Sequence, residues 1–223
     1  MALILSIETS TTNCSISLSK EGKTVVLKED YDLNYSHAER LHVYIDAVLK
    51  EAGILPLHLD AIAISKGPGS YTGLRIGVSA AKGLCFALNK PLISIATLES
   101  LAHQVNNANG LIVAMLDARR MEVYSAIFNS KYHQIRETQA EILNEASFHF
   151  YLEQNKVYFI GNGVEKTKVL ISHPNAIFIE DKLPSANDMS LLAYDKFKTN
   201  HFEDVAYFEP YYLKDFVALK PKA

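Results

Sequence analysis

Apolar residues in this chain come in short runs bounded by glycine, hydroxyl and acidic residues. Residues 3–8, LILSIE, are an apolar run that ends on an acid, the pattern of a buried strand. Residues 14–19, CSISLS, alternate apolar and polar, as a half-buried antiparallel strand should. Gly22 marks a turn, and 23–29 reads as a third strand. Ser36-His-Ala-Glu39 matches the S-x-x-E capping box. The helix it opens carries Leu41, Ile45, Val48, Leu49 and Ala52 on one side, and Gly53 stops it. A strand at 61–65, a glycine-rich turn and a long helix follow. A strand at 91–96 leads to Thr97, which is placed to cap a short helix reaching about residue 106. The order is βββαβαβα.

A similar series starts at Leu111. LIVAMLDA resembles LILSIETS, with an apolar run, an acid and then small or polar residues. Residues 122–128 match the second strand and 134–143 could be the third. The offset is near half the chain, so the pattern reads as a weak internal duplication; chance similarity of two buried strands is the competing explanation. Further on, a strand at 156–160 enters Gly161-Asn162-Gly163, another strand lies at 177–180, and a helix spans 186–199. The segment from Glu209 has an ordered start and a frayed, basic end. This organisation predicts two units, residues 1–106 and 107–223, with the last segment packing back on the first.

Residues 60–88 carry most of the local information. Pro68-Gly69 suits the central positions of a type II turn. Ser70 or Thr72 can cap the helix after it. The first-turn amides of that helix favour an anion or carboxylate, although many strand-to-helix turns are connectors that bind nothing. Gly73, Gly77 and Ala80/Ala81 recur at helical spacing and leave one face almost bare. A glycine in a helix interior costs about 0.5–1 kcal/mol relative to alanine, so the face implies close packing. Either the sheet of the same chain or a second chain fits it.

Composition narrows the function. The chain has 223 residues and a formal charge of −3 without a basic run. It lacks the electrostatic footprint of a stand-alone nucleic-acid binder, so in RNA chemistry a partner would hold the RNA. Cys14 and Cys85 lie in apolar settings and read as buried free thiols of a reducing, cytoplasmic environment. MALILSIE meets an acid early and has no basic flank, so it reads as neither signal peptide nor membrane span.

Candidate chemistry is sparse. Glu8-Thr9-Ser10, at a strand-to-turn corner, could hold hydrated magnesium and phosphate, or could simply satisfy turn backbone. Asp117 with Arg119 and Arg120 is either a second such unit or a surface ion pair. His37 and His42 are five apart, roughly 140° around a helix, and cannot share a metal from one face; His37 reads as solvated. There is no P-loop and no G-x-S-x-G.

The quoted segments IETSTTNCSISL, SHAERL, GPGSYTGLRIGVSAAKGL, DARRMEVY, GNG and PYYLK together resemble the TsaB (YeaZ) family, over nearly the whole chain. The resemblance implies an α/β, two-lobed actin-like ATPase fold (ASKHA, ribonuclease H-like) with duplicated βββαβα lobes. It also implies a role in forming threonylcarbamoyladenosine in tRNA beside the catalytic relative TsaD, which binds metal through an H-x-x-x-H pair that this chain lacks. The expectation is therefore a scaffold or activator with no catalytic residue and no metal of its own. It would pair with TsaD, recruit the ATPase TsaE, self-associate as a homodimer in isolation, and meet tRNA only through the complex. ATP or ADP would belong to the complex interface. The pairing surface carries over to Leu41, Tyr44, Ile45, Val48, Gly73, Gly77, Ala80, Ala81 and Leu84. Glu8, Thr9, Ser10, Asp117, Gly161 and Gly163 would be vestigial phosphate-type loops. Gly67, Pro68, Gly69, Ser70, Thr72 and Arg75 form the glycine loop. The alternatives are an independent ATP-dependent kinase or ATPase of the same fold, and a metallopeptidase of glycoprotease type.

Overall fold

The computed structural model describes residues 2–30 and 37–214. The Ser36 cap and the 215–223 end of the basic tail lie outside them. The first half contains β1 (Leu3–Glu8), β2 (Cys14–Lys20), β3 (Lys23–Asp30), α1 (His37–Glu51), β4 (Ala61–Gly67), α2 (Tyr71–Leu88), β5 (Leu92–Ala96) and α3 (Thr97–Ala102). The second contains β6 (Leu111–Asp117), β7 (Glu122–Phe128), β8 (Gln134–Ile142), α4 (His149–Leu152), β9 (Val157–Ile160), α5 (Val164–Leu170), β10 (Ala176–Ile179) and α6 (Ala186–Lys198). The sheets run β3-β2-β1-β4-β5 and β8-β7-β6-β9-β10, the same order twice. In each, the first strand pairs antiparallel with the second and parallel with the fourth. The half-chain repeat is thus a repeat of topology. A 3₁₀ turn at Pro56–His58 and the four-residue α4 escaped the sequence reading, because elements that short show no period.

Helices α1 and α2 cover one face of the first sheet. Leu41, Ile45 and Val48 of α1, with Val78, Ala81 and Cys85 of α2, pack against Leu5, Ile7, Ile62 and Ile64. Helix α2 sits so low because of its glycines. A Cβ at Gly73 would lie 2.1 Å from the Thr9 carbonyl oxygen, and one at Gly77 2.2 Å from Thr9 Oγ1. The bare face expected to receive a partner therefore lies against its own lobe.

The third helix of each half crosses to the other sheet. Leu98, Leu101 and Ala102 of α3 pack on Ile112, Ala114 and Leu116 of β6. Met189 and Ala193 of α6 pack on Ile4, Ala61, Ala63, Ile93 and Ile95 of the first sheet. The division at 106/107 separates the sheets but cuts across both crossings. Helix α6 also covers the polar face of β2, so Ser15, Ser17 and Ser19 are buried where alternation implied solvent. Ser17 Oγ donates to Ala186 O at 2.8 Å, and Ala186 N donates to Ser15 Oγ at 3.0 Å. The polar period is real, but it serves a hydroxyl-lined helix seat. Thr97 is no cap: Ala96 holds that position and no side chain caps α3.

The crossings meet at Gln104, whose Nε2 donates to Leu183 O and to Asp188 Oδ2, both at 2.8 Å. Asn13 Nδ2 donates to Pro184 O at 2.9 Å. Burial pushes the Asp188 carboxyl up to about 6, against opposing hydrogen bonds from Asn187 and Gln104.

Three outcomes are expected. Residues 1–106 alone leave Ile4, Ile93 and Ile95 uncovered, at about 1.5–3 kcal/mol for each large side chain, against a typical total stability of about 5–15 kcal/mol. The fragment should show no cooperative urea transition, and adding residues 107–223 should restore one. Gly77→Ala should destabilise by about 1–3 kcal/mol through overpacking, although alanine is the better helix former. Gly83→Ala, where a Cβ meets nothing within 4 Å, should stabilise by about 0.5–1 kcal/mol; urea midpoints separate the two. The Asp188 carboxyl binds its proton more tightly in the folded state than unfolded, so its favourable contribution is complete below about pH 4. That contribution disappears as pH rises through about 6. Wild-type stability relative to Asp188→Asn should therefore fall between pH 4 and 6 and stay level above, as read from urea midpoints across that range.

Candidate functional site

A cleft of about 900 Å³ opens between the two sheets. Ser10, Thr11 and the start of α2 form one wall, Asp117, Arg119 and Asn162 the other, and residues 211–214 line it as well. Glu8 lies beneath the cleft, wholly buried. Its Oε1 accepts the Ser10 amide at 2.6 Å. Burial pushes its carboxyl up despite bonds from Ser10. Thr9 Oγ1 donates to Gly73 O at 2.9 Å, and Ser70 N donates to Ser10 O at 2.6 Å. The corner 8–10 thus fastens the entry of α2, the plainer of its two readings.

The glycine loop divides its roles differently from a type II turn at Pro68-Gly69. Gly67 has the positive φ, +110°, and Gly69 does not. Gly69 is needed for closeness, since its Cβ would come 2.5 Å from Ser10 O. Ser70 is the cap: its side chain accepts from Gly73 N at 3.3 Å. Thr72 is exposed in the first turn. Arg75 leaves the loop entirely, projecting from the outer face of α2, where its Nε donates to Tyr212 Oη at 3.3 Å.

On the opposite wall, both carboxylate oxygens of Asp117 have a partner, although the side chain is 40% exposed. Its Oδ1 accepts the Arg119 amide at 2.6 Å and its Oδ2 pairs with Lys166 Nζ at 3.0 Å. The ion pair is therefore with Lys166, a residue that local sequence could not nominate. Arg119 and Arg120 both take positive φ in the β6–β7 turn. Asn162 Oδ1 accepts the Asp117 amide at 2.8 Å, which ties the Gly161–Gly163 turn to β6. Gly161 has φ +110°, and its Cβ would lie 2.1 Å from Met115 O; Gly163 packs on Met115 and Val123. Both glycines serve packing.

His37 is buried, with Nε2 donating to Thr11 O at 2.7 Å, and burial lowers its pKa. The solvated reading is corrected by this seat under the β1–β2 loop. His42 is exposed on the outer face. Among the described residues no group of three His, Cys, Asp or Glu could hold a metal ion. The residues present do not fit the paired-histidine metal of the TsaD resemblance. Both cysteines are buried and free, their thiols pushed up by burial to about 11 at Cys14 and about 12 at Cys85, and so inert. No helix among the described residues is long and apolar enough to cross a membrane.

A second concavity, about 610 Å³, runs between α1 and α2 on the outer surface. Ala38 and His42 line it from α1, and Arg75, Ile76, Ser79, Ala80, Gly83 and Leu84 from α2. Of the residues expected to pair, Ala80 and Leu84 reach this groove. Leu41, Ile45, Val48, Gly73, Gly77 and Ala81 are buried in their own lobe, and Tyr44 is half-buried with Oη donating to Asp30 at 3.1 Å. Helix α2 has two sets of small residues: Gly73, Gly77 and Ala81 point inward, and Ser79, Ala80 and Gly83 outward. The sequence shows both, and only the position of the sheet says which is which.

The family model described as TsaD, tRNA N6-adenosine threonylcarbamoyltransferase, matches residues 32–221. A tRNA threonylcarbamoyladenosine biosynthesis protein TsaB from Escherichia coli is 30% identical, covering 97% of this chain and 96% of that one. The Bacillus subtilis TsaB is 38% identical over a shorter match, 57% of this chain and 56% of the relative. The solved YeaZ from Pseudomonas aeruginosa superposes with a TM-score of 0.79 at 27% identity, covering 96% of this chain and all of that one. The ethanolamine utilization protein EutJ from Carboxydothermus hydrogenoformans, at TM-score 0.53 and 11% identity, shares the fold. The duplicated topology, the glycine-seated helix and a relative matched from end to end lead to one assignment: this chain belongs to the TsaB (YeaZ) family, within the wider actin-like group that includes TsaD.

Proposed function

We propose that this chain is a non-catalytic subunit of the cytoplasmic assembly that forms N6-threonylcarbamoyladenosine in tRNA, and that it docks a TsaD-type catalytic subunit on the α1/α2 groove. The groove carries this reading: an outward stripe of Ala80, Gly83 and Leu84, open above Gly83, flanked by exposed Val43 and Phe86 on the same two helices. A match to the TsaD family model supports the partner's identity. Two chains of one fold can pair isologously, each offering the same face. The same geometry supports a homodimer when the catalytic chain is absent. A TsaE-type ATPase would join this pair, and tRNA would be held by the assembly.

Structural contacts made by Glu8 Oε1 and by Asp117 support a non-catalytic role. Glu8 is wholly buried beneath the cleft with Oε1 on the Ser10 amide, and Asp117 pairs with Lys166 and the Arg119 amide. Any ATP or ADP would then belong to the assembly's interface. The cleft itself favours one rival, an independent ATPase, because about 900 Å³ could admit a nucleotide.

Gly83→Leu should leave the unfolding midpoint unchanged or slightly raised, since its space is open, yet lower co-purification with the catalytic subunit at least tenfold. Normal co-purification would show that docking occurs elsewhere. Calorimetry of the isolated chain with Mg-ATP should show no steady turnover; sustained heat of hydrolysis would establish the ATPase instead.

A further inference from the structure

After α6 the chain runs as a strap over the first lobe. Glu203 N donates to Leu92 O at 2.9 Å, and Lys82 Nζ donates to Ala206 O at 3.1 Å and Phe208 O at 3.0 Å. Tyr211 N donates to Lys66 O at 2.7 Å, beside the glycine loop. Three further contacts are made by Tyr212 and Lys214. The Tyr212 ring lies 4.9 Å from that of Tyr71, and its Oη accepts from Arg75 Nε; Lys214 pairs with Glu122 on the second lobe. The strap thus crosses from one lobe to the other along the cleft.

Arg75 belongs to two features at once. It holds the strap through Tyr212 and packs over the Tyr71 ring at 4.3 Å, and it lines the α1/α2 groove. Ile76 lines both the groove and the cleft, so a single turn of α2 separates them. Among the described residues lining the groove, Arg75 is the one permanently charged side chain. An apolar helix bearing a carboxylate is the complementary occupant.

We propose that the strap is a latch in competition with docking: a carboxylate of the catalytic subunit draws Arg75 away from Tyr212, and the segment 211–214 loosens across the cleft. This rests on the docking reading above. Once Tyr212 is free, the end of the strap is left with Tyr211 N on Lys66 O and with Lys214–Glu122, a partly exposed ion pair of a kind that contributes little. Because coupling is reciprocal, weakening the latch must tighten docking by the same factor.

Tyr212→Phe tests this, since it removes the acceptor and keeps the ring on Tyr71. Affinity of the full chain for the purified catalytic subunit would be measured for wild type, Tyr212→Phe and Gly83→Leu, with hydrogen exchange of residues 209–214 followed free and bound. The expected result is about fivefold tighter binding by Tyr212→Phe, the scale of one modest hydrogen bond, and faster exchange of the strap in the wild-type complex. Unchanged affinity would make strap and groove independent, and weaker affinity would make Tyr212 part of the docking surface; either overturns the latch. If Gly83→Leu bound as well as wild type, or wild type did not bind, the docking reading would fail first and take the latch with it.

Discussion

Thr9 lies under α2 at a separation that only glycine permits. Its carbonyl and hydroxyl oxygens stand where the β-carbons of residues 73 and 77 would otherwise be, and its hydroxyl is bonded to Gly73 O. That contact sets the height and tilt of the longest helix in the described chain. The helix start then forms a cleft wall, its inner stripe closes the first core, and its outer stripe becomes a groove. A substitution at the seat would therefore propagate to every surface that could serve function.

The second organising feature is the exchange of helices between the halves. Each sheet is covered on one face by a helix from the other half, so the duplicated units are topological equivalents without being independent bodies. The first sheet receives α6 through a layer of serine hydroxyls in addition to Ile4, Ile93 and Ile95. Hydroxyl pairs fix register more by direction than by buried area. The Gln104 and Asn13 bonds to the 183–184 backbone make the junction between halves a polar, specified joint.

Fold alone does not settle chemistry, since one fold can host unrelated functions. Here the residues lining the cleft make structural contacts. Ser10 and Gly69 fasten the helix entry, Asp117 holds a hairpin turn, and the Gly161–Gly163 turn packs on β6. The outward groove of α2 is lined by Ile76, Ala80, Gly83 and Leu84 beside the polar Arg75, His42 and Ser79.

Strand and helix positions, the duplicated order and the buried thiols were legible in the sequence because each depends on local period or composition. The run 3–8, the alternation 14–19 and the Gly53 stop needed no partner to be read. The direction of the 73-77-81 stripe was not legible: a helix with two small faces gives no local sign of which one the sheet will take. Nor was the burial of His37, the Asp117–Lys166 pair or the covering of the β2 serines by α6, since each joins residues 26 to 173 positions apart. The sequence by itself determined which elements form and in what order, through short-range sterics and hydrophobic period. Only the tertiary structure decided which faces are spent on the core and which remain outside, because that choice belongs to contacts between segments that are distant along the chain.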